Sequence, residues 1–292
     1  MVGWQGRDTE AQRVQLEHRA EAPAARGRVR IGGLDLDRVG LAEVLEMARA
    51  SIQQRRPCHI VTVNLQFLSV AERDPAFAQV VNGADVVVAD GVPVLWLSRL
   101  LGAPIPQRVT GHDLLYGCAA LAAQEGYSLF FLGAEPEVAE AATRRLDALF
   151  PGLRVAGTHQ GAFTPDGYGA TEAEERGAVE AVRDARPDIL FVALGCPKQE
   201  YWASRHLHEV EVPVCAGIGG VLDVLAGRRQ RAPTWMQRAG LEWLFRLQQE
   251  PRRLLGRYLG DGVPTSLRLG AAALWTRASP AGRRQLQAGG GA

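Results

Sequence analysis

The sequence predicts an α/β fold: a Rossmann-like, mostly parallel sheet with helices on both faces, carrying a C-terminal basic helical appendage. Three observations predict it. Six short runs are strongly apolar, as strands covered on both sides must be. Stretches with helical spacing separate most of them, giving a βα rhythm. Beyond Arg228 the character changes to arginine-rich amphipathic segments.

In chain order, residues 1–27 are rich in Arg, Glu, Gln and Ala with little apolar periodicity, and are expected to be a disordered tail. Residues 28–38 alternate around Gly32-Gly33 and predict a small hairpin. Strands are expected at 58–63, 85–89, 127–132, 153–157, 188–194 and 212–217. Helices are expected at 41–54, 65–82 (broken near Pro75), 91–101, 111–125, 136–149, 171–185 and 197–209. The domain reading is a tail at 1–27, a catalytic Rossmann-like domain at 28–227, a basic helical appendage at 228–278 and a flexible tail at 279–292.

With 47% apolar and 22% charged residues, the 292-residue chain has ordinary globular composition. Its net charge of +1 hides an asymmetry, since twelve Arg against three acids from Arg228 onward leave about −8 for the first 227 residues. A basic end of this kind suits phosphate or an anionic membrane surface. Nucleic acid ranks low as a partner, because no recognition motif is present and the remaining body is acidic. Four separated cysteines without a CxxC pair read as buried free thiols in a reducing compartment. Charged residues interrupt any leader-like apolar run at the N-terminus, and no apolar stretch is long enough to span a bilayer. The chain is expected in the cytoplasm, dissolved or held peripherally on the inner membrane face.

In such sheets ligands sit beyond the carboxyl ends of the strands. Thr62 and Asn64 close the first strand of the sheet, Asp90 the second and Gly133 the third. Gly195 opens the segment GCPKQE, and Gly217-Ile218-Gly219-Gly220 leads to Asp223. Gly133, Gly195 and Gly219 could let backbone amides approach a diphosphate. Asp90, partly desolvated after an apolar strand, is a candidate general base. Capping of the next helix is the equal alternative. Lys198, the single lysine, and Gln199 open a helix, where a lysine makes sense beside an anion. Cys196 lacks a histidine partner and reads as a small core residue. Asp35-Leu36-Asp37 formally matches a metal-holding DxD, yet it lies in the hairpin and reads as turn chemistry. The histidines show no ligand spacing, so no metal is expected.

After Arg228, Arg246, Arg253 and Arg257 fall within roughly 40° of one another at about 100° per helical residue. Leucines and Trp235, Trp243 and Phe245 lie beside them. An interfacial membrane helix, an arm folding over a diphosphate and a core-packed helix with solvated arginines all fit this pattern. Pro251 is expected to split the segment.

Taken in order, the segments TVNLQFL at 62–68, ADVVVADGVPVLWLSRLLG at 84–102, QRVTGHDLL at 107–115, FFLGAEPEVAE at 130–140, LFVALGCPKQEYW at 190–202 and the run from Gly217 to Arg253 resemble the WecG/TagA/CpsF family of bacterial glycosyltransferases. The resemblance covers about 28–260. It implies inverting, metal-independent transfer, without a cofactor, from a UDP-sugar donor to a polyprenyl-diphosphate-linked acceptor in cell-surface polysaccharide synthesis. It further implies an N-acetylmannosamine-type donor, with glucosyl relatives leaving the sugar open. On this resemblance Asp90 is the base, and Thr62 and Asn64 line its pocket. Arg108 stands near the donor phosphates or acceptor, Gln199 and Asp223 contact the nucleotide sugar, and Arg246 and Arg253 are the appendage arginines. The family often carries a further basic or aromatic residue where this chain has Gly256, so on the resemblance the third appendage arginine is either Arg257 or absent. A homo-oligomer is compatible with the resemblance, and the Trp/Leu-rich segments would supply its interface. The competing readings are a sugar-nucleotide epimerase or oxidoreductase, which would need a GxGxxG fingerprint the chain lacks, and a UDP-binding membrane-peripheral scaffold.

Overall fold

A computed structural model describes residues 27–161, 171–257 and 262–278. Apart from Gly27, the expected tails lie outside the described residues. The strands are β1 (Arg28–Ile31), β2 (Leu34–Asp37), β3 (Cys58–Val63), β4 (Val86–Ala89), β5 (Ser128–Leu132), β6 (Arg154–His159), β7 (Ile189–Val192) and β8 (Val214–Gly217). The helices are α1 (Leu41–Gln54), α2 (Leu65–Arg73), α3 (Pro75–Asn82), α4 (Val92–Leu100), α5 (Gly111–Glu125), α6 (Pro136–Leu149) and α7 (Glu172–Ala185). They continue with α8 (Lys198–Val210), α9 (Val221–Leu225), α10 (Thr234–Arg238), α11 (Glu242–Gln249), α12 (Pro251–Arg257) and α13 (Val263–Ala278). A two-stranded sheet pairs β1 with β2, and a six-stranded sheet runs β4-β3-β8-β7-β5-β6. The expected Rossmann-like α/β architecture is present. Among the described residues no helix is long and apolar enough to cross a membrane.

The chain divides into two compact units. The first holds Leu41–Ile60 and Gly111–Arg228. Its sheet is parallel throughout, from the first half of β3 through β8, β7 and β5 to β6. Strands β5, β7 and β8 are buried at every residue, which is why they read as unbroken apolar runs. Phe131 and Phe191 face each other in register and stack with centroids 6.0 Å apart. Strand β6, at one edge of the sheet, departs from the double-covered expectation, since its residues alternate between exposed and half-buried. Cys58, Cys118 and Cys215 are buried free thiols, and burial pushes the Cys118 thiol up to about 12.

The second unit holds Ala24–Gly40, Val61–Thr110 and Arg229–Ala292. Its hairpin is pinned by Asp37, which is fully buried and accepts from Val87 N (2.8 Å) and Arg28 Nε (2.9 Å). A buried carboxylate survives only when paired in this way. Asp35 lends its backbone amide to Asn82 Oδ1 at 2.9 Å, so both aspartates of the DxD-like triplet serve the hairpin. The expected break near Pro75 is present: Asp74 ends α2 and caps α3 by accepting from the Ala76 and Phe77 amides, with Pro75 in the first turn. The expected break at Pro251 separates α11 from α12. Helix α13 packs on α2 and α4. Thr265 and Arg268 both reach Glu72 on α2, and Gly32 admits the Leu269 side chain, which a Cβ there would meet at 3.2 Å.

Candidate active site

Within the second unit, a cavity of about 350 Å³ opens at the carboxyl end of β4. Four residues expected to carry chemistry reach it: Asn64, Asp90, Arg108 and Arg246. Each arrives for a local reason. Strand β3 delivers Asn64, which caps α2 by accepting from Gln66 N at 2.9 Å. Strand β4 delivers Asp90, whose backbone amide donates to Val63 O at 2.7 Å. The N-cap position of α4 falls on Gly91, one residue after Asp90. Arg108 is brought alongside by its neighbour Val109, fully buried, which donates to Ala89 O at 2.9 Å. Thr62 lies two residues before Asn64, 5% exposed in β3, and is not among the residues lining the cavity.

The facing wall comes from the last fifth of the chain. Helix α10 ends in a Schellman turn, with Leu241 N donating to Met236 O and Gly240 N to Gln237 O. Gly240 has φ +74°, and a Cβ there would lie 3.1 Å from the Val92 side chain, so this close turn requires glycine. It sets the start of α11 on the cavity: Glu242, Trp243 and, one turn on, Arg246 line it. Glu242 Oε2 lies 3.3 Å from Arg108 Nη1, and Glu242 Oε1 lies 3.1 Å from Arg246 Nη2. Gly262, Val263 and Ser266, around the start of α13, complete the lining. Sequence reasoning missed Glu242 and Ser266. The i,i+4 spacing of Glu242 to Arg246 was a usable signal for the first, whereas Ser266 had none. Arg253 lies on α12, and its side chain is outside those described.

The other expected binding residues belong to the first unit. Gly133 follows β5 with φ +111°, and a Cβ there would stand 2.8 Å from the Ala193 carbonyl carbon. Gln199, 3% exposed, is an internal tie: its Oε1 accepts from Gly195 N (3.1 Å) and Gly219 N (3.0 Å). Two of the amides expected to face a diphosphate are therefore already used by Gln199. Its Nε2 donates to Glu200 Oε1 at 2.6 Å. Glu200 is 1% exposed, and burial pushes its carboxyl up to about 8, against the hydrogen bond from Gln199. Lys198 opens α8, and Asp223 lies in the first turn of α9.

The comparisons agree with one another. A model described as the glycosyl transferase WecG/TagA/CpsF family matches residues 29–279. An N-acetylglucosaminyldiphosphoundecaprenol N-acetyl-beta-D-mannosaminyltransferase of Staphylococcus aureus (strain MW2) is 31% identical over 229 residues, 78% of this chain and 87% of the relative. A protein of the same name from Bacillus spizizenii is 33% identical over 202 residues, 69% of this chain and 75% of the relative.

Proposed function

The chain belongs to the WecG/TagA/CpsF family of glycosyl transferases, and from that premise we propose that it moves an N-acetylmannosamine-type hexose from a UDP-sugar to a polyprenyl-diphosphate-linked acceptor sugar. The relatives bear the name of such a reaction on an N-acetylglucosaminyl acceptor. One observation carries the reading for this chain: Asp90 shares a cavity with two arginines, Arg108 and Arg246.

In the proposed step Asp90 takes the proton of an acceptor hydroxyl as that oxygen attacks the anomeric carbon. The bond from this carbon to the diphosphate oxygen breaks on the opposite face, so configuration inverts and UDP departs with the bonding pair. Arg108 and Arg246 supply positive charge where the leaving group accumulates negative charge, the task a metal performs in other enzymes. Arg253, on α12, is proposed to share the appendage role of Arg246.

The basic appendage supports a peripheral place on the inner membrane face. Trp235, Trp243, Leu255 and Trp275 stand exposed among its arginines. Such amphipathic surface suits an anionic bilayer, where the lipid-linked acceptor would reside.

The test is transfer of radiolabel from UDP-N-acetylmannosamine to a polyprenyl-diphosphate N-acetylglucosamine, with and without EDTA. Product formation insensitive to EDTA is expected. Absence of transfer from every UDP-hexose offered would refute the reading, and loss of product with EDTA would refute its metal-free form.

A further inference from the structure

Glu242 holds a position that the proposed chemistry does not use. Its side chain is 17% exposed, and each carboxylate oxygen faces a different arginine. Arg108, 134 residues earlier, lies on a loop tied to β4, while Arg246 lies one turn along α11. Arg108 is 19% exposed at its side chain and Arg246 51%. All three side chains line the cavity that holds Asp90. As the first residue of α11, Glu242 also sits where the helix dipole favours an anion.

We propose that Glu242 is a built-in counter-anion: it keeps Arg108 and Arg246 gathered before substrate binds and yields them to the diphosphate of an incoming substrate. The inference rests on the reading above that the cavity receives a diphosphate. Two guanidinium groups converging without an anion would repel one another and turn toward water. The bridging carboxylate removes that cost and leaves the pair assembled. The same carboxylate opposes any second anion at that place, because like charges at short range in a partly dry site repel strongly. A diphosphate therefore displaces it, and part of the binding free energy is spent in the exchange. The bound complex is then stripped of a negative charge next to the leaving group, which is where Asp90 chemistry needs positive potential.

The experiment titrates full-length protein with inorganic pyrophosphate, the chemistry common to both substrates. UDP and geranyl diphosphate serve as separate arms for the donor and the lipid acceptor. Glu242→Gln keeps the shape and an acceptor oxygen but removes the charge. Pyrophosphate should bind this variant about three- to tenfold more tightly than wild type, with a steeper dependence on salt. The arm that shows the same gain identifies which diphosphate meets the arginines. Equal or weaker pyrophosphate binding in Glu242→Gln overturns the proposal while leaving the transferase reading intact. Failure of both proteins to bind any of the three probes removes the diphosphate reading and this inference together. If Glu242→Gln does not fold, a crystal structure of wild type with pyrophosphate decides. Separation of Glu242 from both arginines beyond 4 Å is expected, and persistence of both ion pairs beside bound pyrophosphate overturns the exchange.

Discussion

Gln199 and Glu200, neighbours in the chain, are joined by a buried 2.6 Å hydrogen bond from the amide Nε2 to the carboxyl Oε1. The carboxyl belongs to an acid held neutral by its surroundings, with its folded value near 8 against an ordinary 4.5. Its contribution to stability is full below 4.5 and is lost as pH rises through about 8, because the unfolded chain ionises first. Thermal melts between pH 5 and pH 9 should therefore show Tm falling with pH, and Glu200→Gln should flatten that slope. An unchanged slope in the variant would show that the carboxyl ionises as readily in the fold as out of it.

Gly217 closes β8 against this pair. A Cβ added there would stand 2.3 Å from Gln199 Nε2 and 2.7 Å from its Cδ. Gly217→Ala should cost about 1–3 kcal/mol, the usual range for overpacking. In a Gln199→Ala background the same change should cost less, because only Glu200 Oε1, at 2.8 Å, is then left to give way. Denaturant unfolding of the four proteins in that cycle measures the coupling.

Asp90→Asn keeps the volume of the side chain while removing the base. Turnover should fall by about 10²–10⁴ with UDP affinity nearly unchanged. Single-turnover transfer and calorimetric UDP binding separate the two quantities. Full activity in the variant would assign the proton to another group.

Gly240→Ala forces a side chain into a left-handed turn and against Val92 at 3.1 Å. A loss of about 1–2 kcal/mol is expected from the backbone conformation alone. The larger effect should be on transfer, because the turn places Glu242 and Arg246. Comparing the loss of activity with the loss of Tm at a temperature well below unfolding checks this.

Trp235 is 63% exposed and Trp275 64% exposed. Replacing both by Ser should weaken sedimentation with anionic vesicles several-fold without changing Tm. Raising the salt should release wild type as well, since the arginines contribute by charge. Unaltered pelleting of the double variant would place the membrane contact on other residues.

Much of this architecture was legible because the signals are local. The buried strands are apolar on both faces, and Pro75 and Pro251 stop helices where a proline must. The rule that strand ends carry chemistry led to Asp90 and Asn64, and the cavity is where those ends lie. The partners of the arginines were harder to see. Nothing near Arg108 in sequence announces Glu242, since a contact across 134 residues leaves no periodicity. Gln199 illustrates the opposite difficulty. A polar side chain at a strand end looks the same in sequence whether it meets a ligand or, as here, fastens two backbone loops together.

The cavity's two walls come from widely separated stretches of the chain. The ribosome makes Asp90 and Arg108 early, and the 134 residues separating Arg108 from Glu242 take roughly 7 to 27 s at 5–20 residues per second. Throughout that interval the nascent protein carries Asp90 with no facing arginine from α11. A message cut short after the last sheet strand would yield a product that keeps Asp90 and Arg108 and lacks the wall that faces them.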